Sequence, residues 1–519
     1  MKNSLFKGFT YLAIGSIIVK LLGGLYKILL TNVLGGGSIG VYTQLLPVYS
    51  FVVVLVSSGV PLGISKMMAK LELNQKIKTL KLSLIVFFVY STVLGLVMAL
   101  SSKLITRGQG NAEFWFVYCI LAPAIVLSSL SAVLKGFFQS MQNFKPTAIS
   151  NIFEQISKIV FCLSIIVLFV SSSHSRIIVA ITGILVGEIL SFLTLVVMKN
   201  KAVKYTRKNA NNIMEEKINL ADIKLCVQEI ANNVLPIMLT GLILPLSNLI
   251  DSFLVVRLLN KNFGINQSIY LYGLQTGVVG AIIGVPTTVT FALISVLMPS
   301  LYKDFSNKNE RQFNYKFKLA FKLILTITIP CFLYLLVYPK SVINLIYGDN
   351  LSAYNMNGSV ISSTLLLWSS FNVIFACLAT FFSMCLQARD NRIMPIVTSA
   401  IGMIVKLILE IIFVPATMIS ILSFTIAGVV GNLCIVALDF YLLKREKLGF
   451  IPTLDLLKII LNAVLVLTVS LLFALIGLNN VSFVIIAVFS IVLYLILCCK
   501  LKIFSQQELK YFSKSKQNS

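Results

Sequence analysis

Histidine is almost absent from this chain, which contains one, His174, among 519 residues. Metal centres and nucleophile–histidine catalytic sites are hard to assemble without histidine, and no group of His, Cys, Asp or Glu has metal-ligand spacing. Charged side chains are also scarce, at 12% of the chain, which excludes a water-soluble globular protein of ordinary composition. We therefore expect no metal, no cofactor and no enzyme activity.

Apolar residues make up 58% of the chain, and the mean hydropathy is +0.94. Apolar runs of about 20 residues, the length that crosses the hydrocarbon core of a bilayer, recur along it. They lie near 8–31, 42–64, 80–104, 114–138, 147–171, 177–198, 228–256, 269–300, 319–339, 359–386, 394–414, 421–443, 456–477 and 481–499. The sequence therefore predicts an all-α polytopic membrane protein with about 14 transmembrane helices.

Most lysines and arginines fall on one predicted side of the membrane. The clusters are 66–81, 199–224, 303–318, 444–458 and 500–516. Each follows an even-numbered segment, so the positive-inside rule predicts that both termini are cytoplasmic in the cell membrane. The net charge of +25 is then a topology signal, and we expect no nucleic-acid partner. The first apolar run is too long for a cleavable signal peptide.

A polar stretch after the sixth segment predicts two halves. We predict an N-lobe at 1–200, a cytoplasmic linker at 201–224, a C-lobe at 225–445, and an appended helix pair with a basic tail at 446–519. Six membrane crossings in the first half return the chain to the side where it started. The second half is therefore expected to repeat the first in the same orientation across the membrane, as a parallel repeat. The same residue types occur in the same order in both halves. These are Phe137, Phe138, Gln142, Pro146 and Lys158, then Phe381, Phe382, Gln387, Pro395 and Lys406.

Two lysines lie inside the first apolar segment. Lys20 and Lys27 are seven residues apart, so they return to one helix face together with small residues such as Gly23 and Gly24. A lysine in mid-membrane costs about 2.5–3.5 kcal/mol on insertion scales, so it is expected to face water or a partner. We predict that these lysines bind an anionic ligand or pair with Asp251 or Glu188.

The other charges inside apolar segments include two pairs spaced by one helical turn. Glu154 with Lys158 and Lys406 with Glu410 are predicted to form structural ion pairs, because neutralisation within a helix lowers the cost of burial. Asp439 also lies within an apolar segment.

Prolines and glycines interrupt the seventh and eighth segments. Pro236, Pro245, Asn248 and Asp251 break the seventh, and Asn248 and Asp251 are candidate substrate-binding residues. The eighth contains Gly273, Gly277, Gly280, Gly284 and Pro286. Two interpretations stay open, namely close helix packing and a hinge that lines a cavity.

Residues 35–40, Gly-Gly-Gly-Ser-Ile-Gly, match a dinucleotide fingerprint and a nucleophile elbow by letters alone. Both motifs need a preceding strand, and the elbow also needs a histidine partner. We interpret these residues as the outer turn between the first two helices.

The opening residues SIIVKLLGGLYKILLTNVLGGGSIGVYTQ, followed by SSGVPLGISKMMAK at 57–70, resemble the stage V sporulation protein B family of polysaccharide-export proteins. That family is related to lipid II flippases within the multidrug/oligosaccharidyl-lipid/polysaccharide exporter superfamily. The resemblance implies two six-helix lobes around a central cavity, two further helices, and transport of an undecaprenyl-diphosphate-linked sugar for wall or spore-cortex synthesis. It also implies that Lys20, Lys66 and Lys27 occupy basic positions, with first-helix residues meeting the diphosphate.

These observations predict a monomeric flippase whose partners are a lipid-linked sugar diphosphate and membrane lipid. A coupling ion or the membrane potential would drive it. The alternative is a cation-coupled multidrug antiporter of the same superfamily, which would need cavity carboxylates such as Asp251 or Glu188. A third interpretation, a membrane glycosyltransferase, predicts that a longer glycan is made.

Overall fold

Helices make up most of the regions that the structure describes. This computed structural model describes every residue except 1, 70, 210–219, 236, 237, 239, 240, 349, 390, 392, 417–419, 446–452, 475–478, 506, 507 and 509–519. The helices are α1 (Lys2–Ser57), α2 (Val60–Met68), α3 (Leu73–Leu100), α4 (Ser102–Gln109), α5 (Phe116–Ser140), α6 (Lys145–Phe169), α7 (Ser173–Asn209), α8 (Leu220–Asn233), α9 (Ile243–Leu259), α10 (Ile265–Gly273), α11 (Gly280–Ser306), α12 (Glu310–Val337), α13 (Pro339–Tyr347), α14 (Gly358–Ala388), α15 (Met394–Phe413), α16 (Ser420–Arg445), α17 (Thr453–Ala474) and α18 (Asn480–Lys500). A π-helical turn, Leu274–Val279, joins α10 to α11.

Twelve helices within the described residues are long and apolar enough to cross a membrane. The protein is therefore a multi-pass membrane protein, as its composition predicts. Eleven of the twelve match the predicted segments 3–6 and 8–14, and the other spans 51 residues and covers the first two. The seventh predicted segment, 228–256, includes residues outside those described. The count of fourteen therefore stays a prediction.

The predicted turn at residues 35–40 is wrong in its extent. Helix α1 continues through this region, and Gly35 alone has non-helical dihedral angles, with φ 77° and ψ 169°. Glycine reaches this region at little cost because it has no Cβ. The break between the first two predicted helices is therefore a kink at one residue.

The interruption of the seventh predicted segment lies between two separate helices. Helix α8 ends at Asn233 and α9 begins at Ile243. Pro245 occupies the first turn of α9, where a missing backbone N–H removes no helical hydrogen bond. Pro236, which we predicted as a further break, lies outside the described residues.

Packing divides the chain into two units. Unit 1 comprises Met1–Leu34 and Ser38–Gly273, and unit 2 comprises Gly35–Gly37 and Leu274–Ser519. The lobe boundaries predicted from sequence stay a prediction, because packing does not establish which helices move together.

In unit 1, helix α5 packs against α2, α3 and α7. Small residues on α5 allow this close approach, since a Cβ added to Gly136 would lie 2.8 Å from Ile64 Cβ and 2.9 Å from Pro61 O. Buried apolar side chains from these helices, including Phe137 and Phe138, form one core cluster. Helix α6 packs along α7.

In unit 2, helix α14 packs against α11, α12, α13 and α16. The core contains Phe317 of α12, which stacks on Phe381 of α14 at a centroid distance of 5.2 Å. Side chains of α17 and α18 enter the same core, and Tyr494 Oη donates a hydrogen bond to Thr326 O at 2.9 Å. The last two helices are thus an integral part of this unit.

The two units repeat one packing detail. The matching contacts are those of Gly187 with Glu154 and Lys158, and those of Gly431 with Gly402 and Lys406. A Cβ added to Gly187 would lie 3.0 Å from Glu154 O and 3.5 Å from Lys158 Cβ. A Cβ added to Gly431 would lie 3.0 Å from Gly402 O and 3.0 Å from Lys406 Cβ. In each unit a glycine therefore lets its helix cross the preceding one beside a lysine. The parallel orientation of the repeat stays a prediction.

A buried lysine joins the C-terminal segment to α12. Lys322 is 4% exposed, and its Nζ lies 2.8 Å from Asp455 Oδ2 and 3.3 Å from Glu508 Oε2. The side chain therefore links α12 to the start of α17 and to the chain beyond α18.

We expect Lys322→Ala to destabilise unit 2 by about 1–3 kcal/mol, because it leaves two partly buried carboxylates without their cation. Thermal unfolding of the purified protein measures this effect. Lys318, one turn earlier on α12, forms no ion pair among the described residues, so Lys318→Ala is the control and is expected to change little. Equal unfolding temperatures for the two variants would contradict the linking role of Lys322.

Candidate substrate-binding site in unit 1

Helix α1 has an exposed apolar stripe and an opposite, less exposed side. Leu21, Leu25 and Leu29 are 41%, 56% and 44% exposed and follow one another at single-turn spacing. Lys20 and Lys27 lie on the other side of the helix, and both are only partly exposed. The leucines are therefore suited to contact lipid, while the lysines face away from the leucine stripe.

Small residues bring this part of α1 close to α6. A Cβ added to Gly15 would lie 2.8 Å from Ala148 Cβ, and one added to Gly23 would lie 3.8 Å from Gln155 Oε1. Tyr26 extends the contact, since its hydroxyl donates to Cys162 Sγ at 3.3 Å. The lysine-bearing half of α1 is thus packed on the helix that carries Glu154 and Lys158.

Four charged side chains on α5, α6 and α7 form what we call the unit 1 charge cluster: Lys135, Glu154, Lys158 and Glu188. Lys158 interacts electrostatically with both carboxylates, and its Nζ lies 5.0 Å from the centre of the Tyr26 ring. Glu188 is buried and interacts electrostatically with Lys135. Two cations and two anions balance formally within the cluster.

Glu154 and Lys158, which we predicted to form a structural ion pair, both belong to the charge cluster. Glu154 Oε1 accepts a hydrogen bond from Gln155 Nε2 of the same helix at 3.5 Å, whereas Lys158 lies over Tyr26 of α1, so the contacts of Lys158 reach a second helix. With Lys20 and Lys27 included, four lysines and two carboxylates leave an excess of positive charge on these elements. The assignment of the pair as purely structural stays a prediction.

The remaining substrate-binding candidates lie on other elements of unit 1. Lys66 is exposed in the last turn of α2, which packs against α5 and α8. On α9, Asn248 is exposed and Asp251 is 3% exposed. Gln44 Nε2 donates to Ser252 O at 3.2 Å, which ties α9 to the second half of α1. The five candidates therefore occupy three separate places in the unit.

The predicted pair in unit 2 lies on one turn of α15. Lys406 Nζ is 3.6 Å from Glu410 Oε1 and 5.5 Å from the centre of the Phe424 ring. On the following helix, α16, Asp439 accepts hydrogen bonds from Ser383 Oγ at 2.5 Å and Thr398 Oγ1 at 2.7 Å. These intramembrane charges have local polar partners, as burial in a low-dielectric environment requires.

The glycines of the eighth predicted segment do not share one role. Gly273 packs directly on Gly40 of α1, whereas a Cβ added to Gly284 would meet nothing within 4 Å. Between them, the helix changes to a π-helical turn at Leu274–Val279, an irregularity often found at functional sites. Close packing therefore explains Gly273, and the hinge interpretation stays a prediction for the turn that follows it.

Sequence reasoning missed Lys135 of the charge cluster. Lys135 falls within the predicted segment 114–138, so its position inside an apolar run was a usable signal. The contact between its helix and the helix carrying Glu188 was not readable from the chain, because the two residues are far apart in sequence.

A family model described as polysaccharide biosynthesis protein matches residues 5–305. The chain belongs to this family. The matched range contains Lys20, Lys27, Lys66, Asn248, Asp251 and the unit 1 charge cluster. The family resemblance predicted from the first 70 residues is confirmed.

Individual relatives are similar to this chain over most of their length, at low sequence identity. Lipid II flippase MurJ of Bacillus subtilis (strain 168) is 23% identical over 434 residues, which cover 79% of this chain and 77% of the relative. Stage V sporulation protein B of the same organism is 22% identical over 358 residues, covering 67% and 68%. A solved structure of lipid II flippase MurJ in an inward closed conformation has a TM-score of 0.69 and 18% identity, and covers 95% of this chain and 98% of that one. The described helices of this chain therefore adopt the same polytopic fold as that structure.

Proposed function

We propose that this protein is a flippase that moves an undecaprenyl-diphosphate-linked sugar, such as a peptidoglycan precursor, across the cell membrane. One observation carries the proposal. Lys20 and Lys27 lie opposite the exposed stripe of Leu21, Leu25 and Leu29, on a membrane-spanning helix. The similarity to lipid II flippase MurJ and to stage V sporulation protein B supports the choice of substrate.

Electrostatics supplies a physical role for these lysines. A diphosphate-sugar headgroup does not cross hydrocarbon unaided, because each unpaired polar group costs several kcal/mol there. Ammonium groups on the side of α1 away from its leucine stripe would bind the phosphates as compact point charges and lower this cost. The polyprenyl tail would remain in lipid while the headgroup moves.

The proposed transport cycle forms and breaks no covalent bond. The protein acts as a non-catalytic transporter by alternating access, works as a monomer with both termini cytoplasmic, and uses no cofactor. A membrane potential that is negative inside would help expel the anionic headgroup at about 2.3 kcal/mol per charge per 100 mV. A coupling ion is a second candidate driving force. Asn248, Asp251 and Lys66 are further candidates for headgroup contact.

Transport of a fluorescent lipid-linked precursor in proteoliposomes tests the proposal. We expect Lys20→Gln and Lys27→Gln each to slow translocation about ten-fold, since one charge-assisted phosphate contact is worth about 1.5–3 kcal/mol. Lys20→Arg and Lys27→Arg are expected to recover part of the rate because they restore the charge. Lys103→Gln is the control, because Lys103 lies over the Trp115 ring in the outer region predicted from sequence.

Three results would overturn the proposal. Translocation by both glutamine variants at the rate of the Lys103→Gln control would remove the role of the two lysines. Efflux of a cationic dye with no lipid transport would instead support the antiporter. Conversion of the precursor to a longer glycan by the purified protein would support a glycosyltransferase.

A further inference from the structure

Unit 2 contains a cavity of about 460 Å³ at the junction of α12 and α13. Its lining comes from α12, α13, α14 and α17 and from the residue between α12 and α13. The lining residues are Val337, Tyr338, Pro339, Lys340, Ser341, Ser363, Thr364, Leu367, Leu471 and Ala474. The cavity therefore lies where three candidate membrane spans end or begin, outside the unit 1 elements discussed above.

Part of the cavity lining is cationic and carries hydroxyl groups. Lys340 is exposed, and it forms no ion pair among the residues that the structure describes. Ser341, Ser363 and Thr364 also line the cavity, and no carboxylate does. Ser363 Oγ and Thr364 Oγ1 donate to Val360 O at 2.7 and 3.1 Å, so of these three hydroxyls that of Ser341 has no backbone acceptor among the described residues. Ammonium and hydroxyl groups together suit a phosphate, and the lack of a lining carboxylate disfavours a headgroup that also carries a cation.

The rest of the lining is apolar and reaches the lipid-facing surface. Leu367 belongs to α14, and Leu471 and Ala474 belong to the last turns of α17. Leu471 is 41% exposed and the adjacent Leu472 is 65% exposed, on a helix apolar enough to span the membrane. An acyl chain can therefore leave the cavity along this surface without entering water.

Lys340 lies on the predicted outer side of the membrane. The basic residues concentrate on the predicted cytoplasmic side, and Lys340 is one of the few on the opposite side. A lysine here does not contribute to the positive-inside signal. A phosphate at the level of the lipid headgroups gives its charge a partner.

We propose that this cavity binds one anionic glycerophospholipid of the outer leaflet. The phosphate lies on Lys340 with the Ser341 hydroxyl beside it, and one acyl chain follows Leu367 and Leu471. The proposal is independent of the flippase proposal, because it concerns a resident lipid of the bilayer and is measured by binding.

Native mass spectrometry of the full chain in detergent, with phosphatidylglycerol or phosphatidylcholine added, tests the proposal. The wild-type protein is expected to retain phosphatidylglycerol in preference to phosphatidylcholine. Lys340→Gln is expected to weaken phosphatidylglycerol retention about five-fold and to abolish the preference. Thr364→Trp fills the cavity while the lysine remains, so it is expected to reduce retention of both lipids.

Lys261→Gln is the matched control, because Lys261 is an exposed lysine on the same predicted side and does not line the cavity. Equal retention by Lys340→Gln and Lys261→Gln would overturn the proposal. Displacement of the lipid by millimolar inorganic phosphate would also overturn it, since the ligand would then be a free anion. Normal retention by Thr364→Trp would show that the lipid binds elsewhere.

Discussion

Gly273→Ala is expected to prevent most of the chain from reaching a folded, monodisperse state. The added methyl group would collide with the Cα and N atoms of Gly40, and a Cβ at Gly40 would in turn lie 2.5 Å from Ile269 O. These neighbours are backbone atoms, so no rotamer change relieves the collision, and α1 and α10 would have to separate. Overpacking of a core costs about 1–3 kcal/mol, and backbone displacement puts this position at or above the upper end. The fraction of protein in the monodisperse peak of size-exclusion chromatography measures the effect.

Gly284→Ala provides the control for this prediction. Gly284 lies in the next helix of the same predicted segment, and an added Cβ there meets nothing within 4 Å. We expect this variant to match the wild-type protein, or to exceed it slightly because alanine favours a helix over glycine by about 1 kcal/mol. Equal behaviour of the two variants would mean that α1 and α10 are not in backbone contact.

Gln44→Leu is expected to destabilise unit 1 by about 2–5 kcal/mol. The Gln44 side chain is fully buried, and its Nε2 donates to Gln109 O at 2.7 Å and to Ser252 O at 3.2 Å. Its Oε1 accepts a hydrogen bond from Asn111 Nδ2. Leucine has a similar volume but leaves these three groups without their partner, and each unsatisfied buried group costs about 1–3 kcal/mol. Thermal unfolding in detergent, followed by intrinsic fluorescence, measures the loss.

Gln228→Leu separates this effect from the general consequence of replacing a glutamine with leucine. Gln228 is exposed on α8, so its amide is hydrated and its replacement is expected to change stability by less than about 0.5 kcal/mol. An unfolding temperature for Gln44→Leu equal to that of Gln228→Leu would contradict the hydrogen-bond network. Because the network joins α1 to α9, we also expect its loss to increase hydrogen exchange in both helices.

The contacts between helices in the unit 1 charge cluster could not be predicted from the sequence. Helical periodicity relates Lys20 to Lys27 and Glu154 to Lys158, since each pair lies on a single helix. The link from Lys158 to Tyr26, at 5.0 Å from the ring centre, joins helices that are separated by more than a hundred residues. Periodicity within one segment carries no information about such a contact.

The sequence by itself determined that this protein is an all-helical, multi-pass membrane protein with cationic residues on a membrane helix. Apolar run length and charge placement are local properties, and the bilayer imposes the helix on any run long enough to cross it. The single-residue kink at Gly35, the contact of Gly40 with Gly273 and the linkage of Lys322 to Glu508 were decided only by the tertiary structure. Each depends on which helix faces are brought together, and that choice is made by packing between segments far apart in the chain.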